Sequence, residues 1–206
     1  MTFVQTHYKK ILFSICALVF VWSAYKPHDY ITWILEVAPA VIAFAILFYT
    51  RKRFPLTPFL YALIAIHAIV LMVGGKYTYA KVPLFELLKE WGIFERNNYD
   101  KVGHFMQGFV PAIAIREVFI RLGVVAKEKW LSFIVVSICL AVSAIYELIE
   151  WLGAVIGGEK TTDFLGTQGY VWDTQSDMLL CGIGAILALA LLSKIHNKAL
   201  QKLAQK

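Results

Sequence analysis

Three short segments carry acidic residues and a histidine at spacings that place them on one face of a helix. They are DKVGH at 100–104, YELIE at 146–150 and DTQSD at 173–177. Residues three or four positions apart share a helix face. The six candidates that these segments supply are Asp100, His104, Glu147, Glu150, Asp173 and Asp177. Carboxylate and imidazole groups bind divalent cations, exchange protons or form ion pairs, so these residues are the candidate functional site.

The charged groups need an explanation because the rest of the chain is apolar. Of the 206 residues, 59% are hydrophobic and only 17% are charged. This composition is too apolar for a soluble globular domain and predicts an all-α polytopic membrane protein. The formal charge of +6 comes from basic residues in short loops, which indicate topology and not a nucleic-acid surface. We therefore expect the lipid bilayer, and no nucleic acid, as a partner.

Six segments approach the ~20 apolar residues that a helix needs to cross the ~30 Å hydrocarbon layer. The predicted transmembrane helices lie at about 10–25, 33–50, 57–74, 101–122, 130–157 and 173–193, within a single domain over residues 1–206. Lys and Arg residues cluster at the ends that would share one side of the membrane. The positive-inside rule then predicts a multi-pass protein of the bacterial cytoplasmic (inner) membrane, with both termini in the cytoplasm.

A shorter helix is predicted in the loop before the fourth span. In VPLFELLKEWG, at 82–92, apolar residues recur with the period of a helix while Glu and Lys occupy the other face. Pro83 suits a first helical position and Gly92 a C-terminal stop. We predict an amphipathic helix that lies on the outer membrane surface.

Six spans bring the acidic segments to the same depth. Asp100 begins span four at the outer side, and His104 lies ~6 Å deeper at 1.5 Å per residue. Glu147 follows Trp130, at the inner end of span five, by 17 residues. It should therefore lie ~25 Å along the helix, near the outer boundary. Asp173 begins span six on the outer side as well. Three further ionisable residues on that side can join the cluster: His28, Asp29 and Glu36.

The simplest interpretation of the cluster is structural. Asp100 and Asp173 each begin a helix, where a carboxylate caps backbone N–H groups. This interpretation does not explain His104 and Asp177, which lie one turn further in.

A second interpretation is a divalent metal site. Asp, Glu and His without Cys suit Mn²⁺, Fe²⁺, Zn²⁺ or Mg²⁺. A bound metal would activate water for hydrolysis of a lipid or a cell-envelope precursor at the outer face. All six candidates would then supply metal ligands, and Glu150 and Asp173 are the predicted catalytic groups, one of them as general base.

A third interpretation is a proton- or cation-coupled transporter, or an envelope-stress or antibiotic-resistance factor without catalysis. The residues do not decide between catalysis and transport. They also leave the substrate, the metal and the oligomeric state open.

The outer loop at 158–172, GEKTTDFLGTQGYVW, combines several glycines with hydrogen-bonding side chains. Glycines break helices and permit tight turns. The loop is predicted to be either an ordinary polar connection or a lid that recognises a headgroup.

Three stretches of the sequence resemble a known family: RNNYDKVGHFMQGFVPAIAIRE at 96–117, YELIEW at 146–151 and DFLGTQGYVWDTQSDM at 163–178. On these stretches the sequence is similar to the YjdF-type inner-membrane proteins, a bacterial family of unknown function. The family often has an acidic residue where this chain has Tyr170, which removes one possible ligand. A more distant similarity links the Asp-Lys-x-x-His helix start to the VanZ-like proteins, named after glycopeptide resistance. The resemblance implies a membrane location and envelope biology without a defined reaction.

Overall fold

A computed structural model describes residues 3–125, 128–157, 168 and 170–205, and within these residues the helices are α-helices and no strand is present. The helices are α1 (Phe3–Ala24), α2 (Tyr30–Thr50), α3 (Pro58–Lys76), α4 (Pro83–Glu90), α5 (Tyr99–Leu122), α6 (Glu128–Gly157) and α7 (Asp173–Ala204). The predicted all-α class is confirmed for this part of the chain.

Five of the described helices are long and apolar enough to cross a membrane, namely α1, α2, α3, α6 and α7. The fourth predicted span, α5, is not among them, so the prediction of six spans is not confirmed. With 24 residues α5 has the length, about 36 Å at 1.5 Å per residue. It falls short in composition because five charged residues interrupt it: Asp100, Lys101, Arg116, Glu117 and Arg121.

A short helix, α4, lies between α3 and α5. Pro83 occupies its first turn, and Gly92 has a φ of +70°, which ends the segment in the left-handed region that glycine favours. Leu84 and Trp91 are exposed. Attachment of this helix to a membrane surface stays a prediction.

Small residues allow the backbones of α5 and α7 to approach closely. A Cβ on Gly108 of α5 would overlap the backbone oxygen of Cys181, and one on Gly184 of α7 would overlap that of Phe105. Close backbone approach at small residues is a common way to pack membrane helices. It fixes the start of α5 against the start of α7, where four of the candidate residues lie.

A satisfied polar cluster joins the other ends of these helices. The fully buried carboxylate of Glu117 accepts hydrogen bonds from the backbone N–H and hydroxyl of Thr57, at 2.9 and 2.7 Å. Its Oε2 also lies 3.0 Å from Nε2 of His196, whose Nδ1 lies 2.9 Å from Arg116 Nη1. These contacts connect α5 to α7 and to the start of α3.

The last helix is longer than predicted. Of its 32 residues, those after 193 are outside the predicted span. The prediction followed hydropathy, which falls at Lys194, but Lys, Ala, Leu and Gln are good helix formers and continue the helix.

Candidate functional site

The six predicted residues surround one buried region at the starts of α5 and α7 and near the end of α6. Ligand atoms of His104, Glu147 and Asp177 lie within 4.8 Å of one another, as do those of Asp100, Asp173 and Asp177. The sixth residue, Glu150, lines a cavity together with Asp100, His104 and Asp177. Asp177 belongs to both groups and is only 2% exposed.

Two cations that sequence analysis did not assign to the site bind the outer carboxylates. Arg96 Nη2 lies 2.7 Å from an oxygen of Asp100 and 2.7 Å from one of Asp173. Lys101 Nζ lies 2.8 Å from Asp173 and 2.7 Å from Asp177. The outer group is therefore an ion-pair network. Both cations lie in the segment RNNYDK, next to Asp100 in the sequence. Helix periodicity did not assign Lys101 to the site, because adjacent residues on a helix point in different directions and its long side chain reaches across to α7.

His104 lies between the carboxylates of two other helices without bonding to either. Its Nδ1 is 3.7 Å from Glu147 Oε1, and its Nε2 is 3.8 Å from Asp177 Oδ2. Its Nδ1 also lies 3.3 Å from Gln107 Oε1. An amide oxygen only accepts hydrogen bonds, so the tautomer that donates from Nδ1 to Gln107 leaves the lone pair of Nε2 facing Asp177.

The spacing of these groups suits an ion between them. Metal–ligand bonds of about 2.0–2.2 Å place neighbouring ligand atoms about 3–4 Å apart. An imidazole binds an ion through one nitrogen, and the 3.8 Å from His104 Nε2 to Asp177 Oδ2 falls in that interval and exceeds an ordinary hydrogen bond.

Two polar atoms on α6 point to a missing partner. Oε1 of Glu147 and Oγ of Ser143 are buried and have no hydrogen-bond partner within the described residues. Glu147 is 7% exposed and Ser143 is fully buried. A buried carboxylate oxygen without a partner is costly, and a bound cation or a proton removes that cost.

One further carboxylate, that of Glu36, extends the cluster toward α2. The hydroxyl of Tyr146 donates to Oε2 of Glu36 at 3.1 Å, and both residues line the cavity with Glu150. Glu150 forms no hydrogen bond or ion pair with the described part of the chain, and it is 7% exposed. Its carboxylate is therefore available to a ligand in the cavity.

His28 and Asp29, which the sequence placed on the same side, do not line this cavity. Asp29 accepts from the backbone N–H of Thr32 at 2.7 Å and caps α2. Its pKa is lowered, first by this hydrogen bond. His28 Nε2 lies 3.1 Å from Lys81 Nζ.

The cavity has a volume of about 460 Å³, and both ionisable and apolar residues line it. Along α5 the lining changes from Asp100 and His104 at the start of the helix to Val110 and Ala114 further along. On α5 the lining extends from Asp100 to Ala114, about 21 Å along the helix axis at 1.5 Å per residue. A ligand that fills it has a polar end and a long apolar part.

The loop at 158–172 lies mostly outside the described residues, and its predicted role as a lid is not tested. Of its described residues, Gln168 donates from Nε2 to the backbone oxygen of Asn97 at 2.7 Å. The ring of Tyr170 lies 5.2 Å from the Arg96 guanidinium and 5.5 Å from Lys101 Nζ. Where the resemblance implies an acidic residue, this chain thus places an aromatic ring over two cations.

Negative charge exceeds positive charge in this region. Six carboxylates lie there, those of Glu36, Asp100, Glu147, Glu150, Asp173 and Asp177, whereas Arg96 and Lys101 are the cations bonded to them among the described residues. Six minus two leaves four carboxylates whose charge must be balanced by protons or by bound cations.

Comparison with known proteins identifies related sequences. The family described as "Predicted membrane protein (DUF2238)" matches residues 8–198. The chain is 48% identical over 185 residues to the inner membrane protein YjdF of Escherichia coli (strain K12), which covers 90% of this chain and 88% of that protein. No solved structure matches. The matched range includes every candidate site residue.

Proposed function

The chain belongs to the DUF2238 family of membrane proteins, and on that premise we propose that it is a divalent-metal-dependent enzyme that acts on a lipid or a lipid-linked envelope precursor. The name of the Escherichia coli relative supports an inner-membrane location. The basic residues in the loops support cytoplasmic termini and a site that opens outward.

One observation carries this proposal: an amphiphilic cavity ends at a His–carboxylate cluster that contains an unpartnered buried oxygen. The apolar lining suits acyl or isoprenoid chains, and the ionisable lining suits a headgroup. The unpartnered oxygen of Glu147 and the gap between His104 Nε2 and Asp177 suit a cation among these three residues, whose ligand atoms lie within 4.8 Å of one another.

The residues take different roles in this proposal. His104, Glu147 and Asp177 hold the metal, which would polarise a phosphoryl or carbonyl oxygen and activate water. Glu150, which lines the cavity and has no bonded partner among the described residues, acts as general base. The predicted catalytic role of Asp173 is untested. Its contacts with Arg96 and Lys101 suit a positioning role instead.

We propose that α5 also crosses the membrane, which brings the number of transmembrane helices to six. Its charged residues are paired within the protein. Lys101 pairs with Asp177 of α7 and Asp100 with Arg96, while Glu117 is bonded to Thr57, before α3, and Arg116 to His196 of α7. Charged groups inside a membrane are tolerated when they are paired within the bundle. A low mean hydropathy is therefore compatible with a span at the centre of the protein.

A coupled transporter is the second candidate, and one observation favours it. Ile64 lines both this cavity and a second one, of about 440 Å³, between α1, α2 and α3. Movement of this side chain would connect the two cavities. The carboxylates would then bind protons or cations that drive transport.

Metal analysis of the purified protein tests the leading proposal. We expect elemental analysis by mass spectrometry to find about one Mn, Fe or Zn per chain, and His104→Ala with Asp177→Asn to abolish it. His67→Ala is the matched control, since His67 lines the same cavity outside the ligand set. If Mg²⁺ is the native ion, added Mn²⁺ detected by electron paramagnetic resonance binds wild type but not the double variant. Equal metal content in all variants would overturn the metal site.

Activity assays with a lipid substrate then distinguish an enzyme from a transporter. An enzyme cleaves lipid-linked phosphate esters in detergent micelles, and Glu150→Gln stops turnover while metal is retained. A transporter shows activity only in sealed vesicles, and Glu150→Gln would then abolish the coupling of transport to protons or cations.

A further inference from the structure

A second groove lies apart from the carboxylate site, between α1, α2 and α3. Its apolar lining includes Leu12, Phe13, Cys16, Phe44 and Leu47, and its volume is about 440 Å³. Phe13 is 65% exposed, which is expected of a side chain that faces lipid.

Four cations line the same groove. Lys9 and Lys10 come from the start of α1, and Arg51 and Lys52 follow the end of α2. The Nζ of Lys9 lies 4.2 Å from the ring centre of Tyr61, another lining residue. The Arg51 guanidinium lies 3.7 Å from the ring centre of Phe48. The aromatic rings therefore hold two of the cations at the groove.

These four charges have no carboxylate partner within the residues that the structure describes. Arg121 differs from these four cations because it has a carboxylate partner: it pairs with Glu117 at 3.1 Å and also donates to the backbone oxygen of Pro55. Four unneutralised cations beside an apolar groove attract a molecule that has both negative charge and apolar chains.

We propose that this groove is a binding site for an anionic phospholipid. The phosphate of the lipid, and any other anionic group of its headgroup, contact the four cations. An acyl chain of the lipid occupies the space between Phe13 and Phe44. Charge complementarity selects this occupant, because a zwitterionic phospholipid brings its own cation to the site. Ile64 lines both cavities, but the four cations lie outside the carboxylate cavity, so the inference does not depend on the metal proposed there.

Native mass spectrometry of the delipidated full-length protein measures this binding. Dioleoyl phosphatidylglycerol, dioleoyl phosphatidylcholine and soluble glycerol phosphate are titrated separately. We expect one tightly held phosphatidylglycerol per chain, weaker phosphatidylcholine and no retained glycerol phosphate, because the acyl chain contributes to binding.

The variant Lys10→Gln, Arg51→Gln, Lys52→Gln tests the cations and leaves Lys9 on its ring. At about a fivefold effect per surface cation, affinity for phosphatidylglycerol should fall on the order of 100-fold. Lys194→Gln, Lys198→Gln, Lys202→Gln in α7 removes the same charge outside the groove and should change affinity less than about threefold. Lys10→Arg with Lys52→Arg should bind as wild type does.

Equal loss in the two triple variants would show only general attraction to the protein charge and would overturn the site. Equal binding of both phospholipids by wild type would also overturn it, and this comparison needs no variant. If the groove triple variant does not fold, the single changes Lys10→Gln and Lys52→Gln at exposed side chains should each weaken binding about fivefold. No effect of either would overturn the proposal.

Discussion

Lys101 and Asp177 form a largely buried ion pair between α5 and α7, with 2.7 Å between Nζ and Oδ1. The other oxygen of Asp177 lies 3.8 Å from Nε2 of His104. One carboxylate thus belongs to the ion-pair network through one oxygen and to the candidate metal site through the other. Because the lysine fixes the orientation of this carboxylate, the network positions a ligand.

Removal of this cation should destabilise the protein. Lys101→Met leaves Asp173 and Asp177 with fewer cationic partners in a buried position, and breaking a buried pair from one side costs about 3–5 kcal/mol. The free energy of unfolding should therefore fall by roughly 3 kcal/mol, measured by denaturant titration in mixed micelles.

The matched control removes an exposed lysine with a similar contact. Lys89 pairs with Glu86 at 2.8 Å, and both side chains are about two-fifths exposed. Lys89→Met should change the free energy of unfolding by less than about 1 kcal/mol. Equal effects of the two changes would contradict the importance of the buried network.

Because α5 and α7 lie so close together, one added methyl group at Gly108 should lower the stability of the protein. Gly108→Ala forces a Cβ against the backbone oxygen of Cys181, which cannot move as a side chain can. We expect a loss of about 1–3 kcal/mol of stability, or failure to fold. Gly182→Ala is the control, since its Cβ would meet only the Leu140 side chain at 3.1 Å. A thermal unfolding midpoint that is unchanged by Gly108→Ala would show that the helices are farther apart.

The meeting of three acidic segments followed from the sequence, but the partners of the carboxylates did not. Helix period and span count placed His104, Glu147 and Asp177 at one depth, and the structure brings their ligand atoms within 4.8 Å. Arg96 and Lys101 were overlooked because periodicity identifies a helix face but does not show how far a long side chain reaches. Pairing across helices depends on packing, here on Gly108 and Gly184, and hydropathy does not report it.

The capping residue Asp29, which precedes α2 and lies outside the spans, should make a pH-dependent contribution to the free energy of unfolding. The Asp29 carboxylate accepts from the Thr32 N–H, which lowers its pKa in the folded state. This stabilisation is fully present above the pKa of the unfolded chain, about 4, and is lost as pH falls through the lowered folded value. Asp29→Ala should cost about 1 kcal/mol at pH 7 and less at pH 3.

Thermal unfolding of wild type and variant at the two pH values checks this prediction. Asp29→Asn retains a capping oxygen but does not titrate, so the difference between pH 7 and pH 3 should be smaller in this variant than in wild type. An identical pH dependence of all three proteins would assign the acid response to other groups.

The unpartnered oxygen of Glu147 predicts opposite effects of one substitution with and without metal. Glu147→Gln removes a buried negative charge, so the metal-free protein should be at least as stable as wild type. A divalent ion at 100 times its dissociation constant should stabilise wild type by about 2.7 kcal/mol and the variant by much less. Glu86→Gln, at an exposed carboxylate, should respond as wild type does. Thermal unfolding in chelator and in Mn²⁺ measures both states. An undiminished response of Glu147→Gln would place the ion elsewhere, because the proposed ion binds the Glu147 carboxylate, whose Oε1 is buried without a hydrogen-bond partner among the described residues.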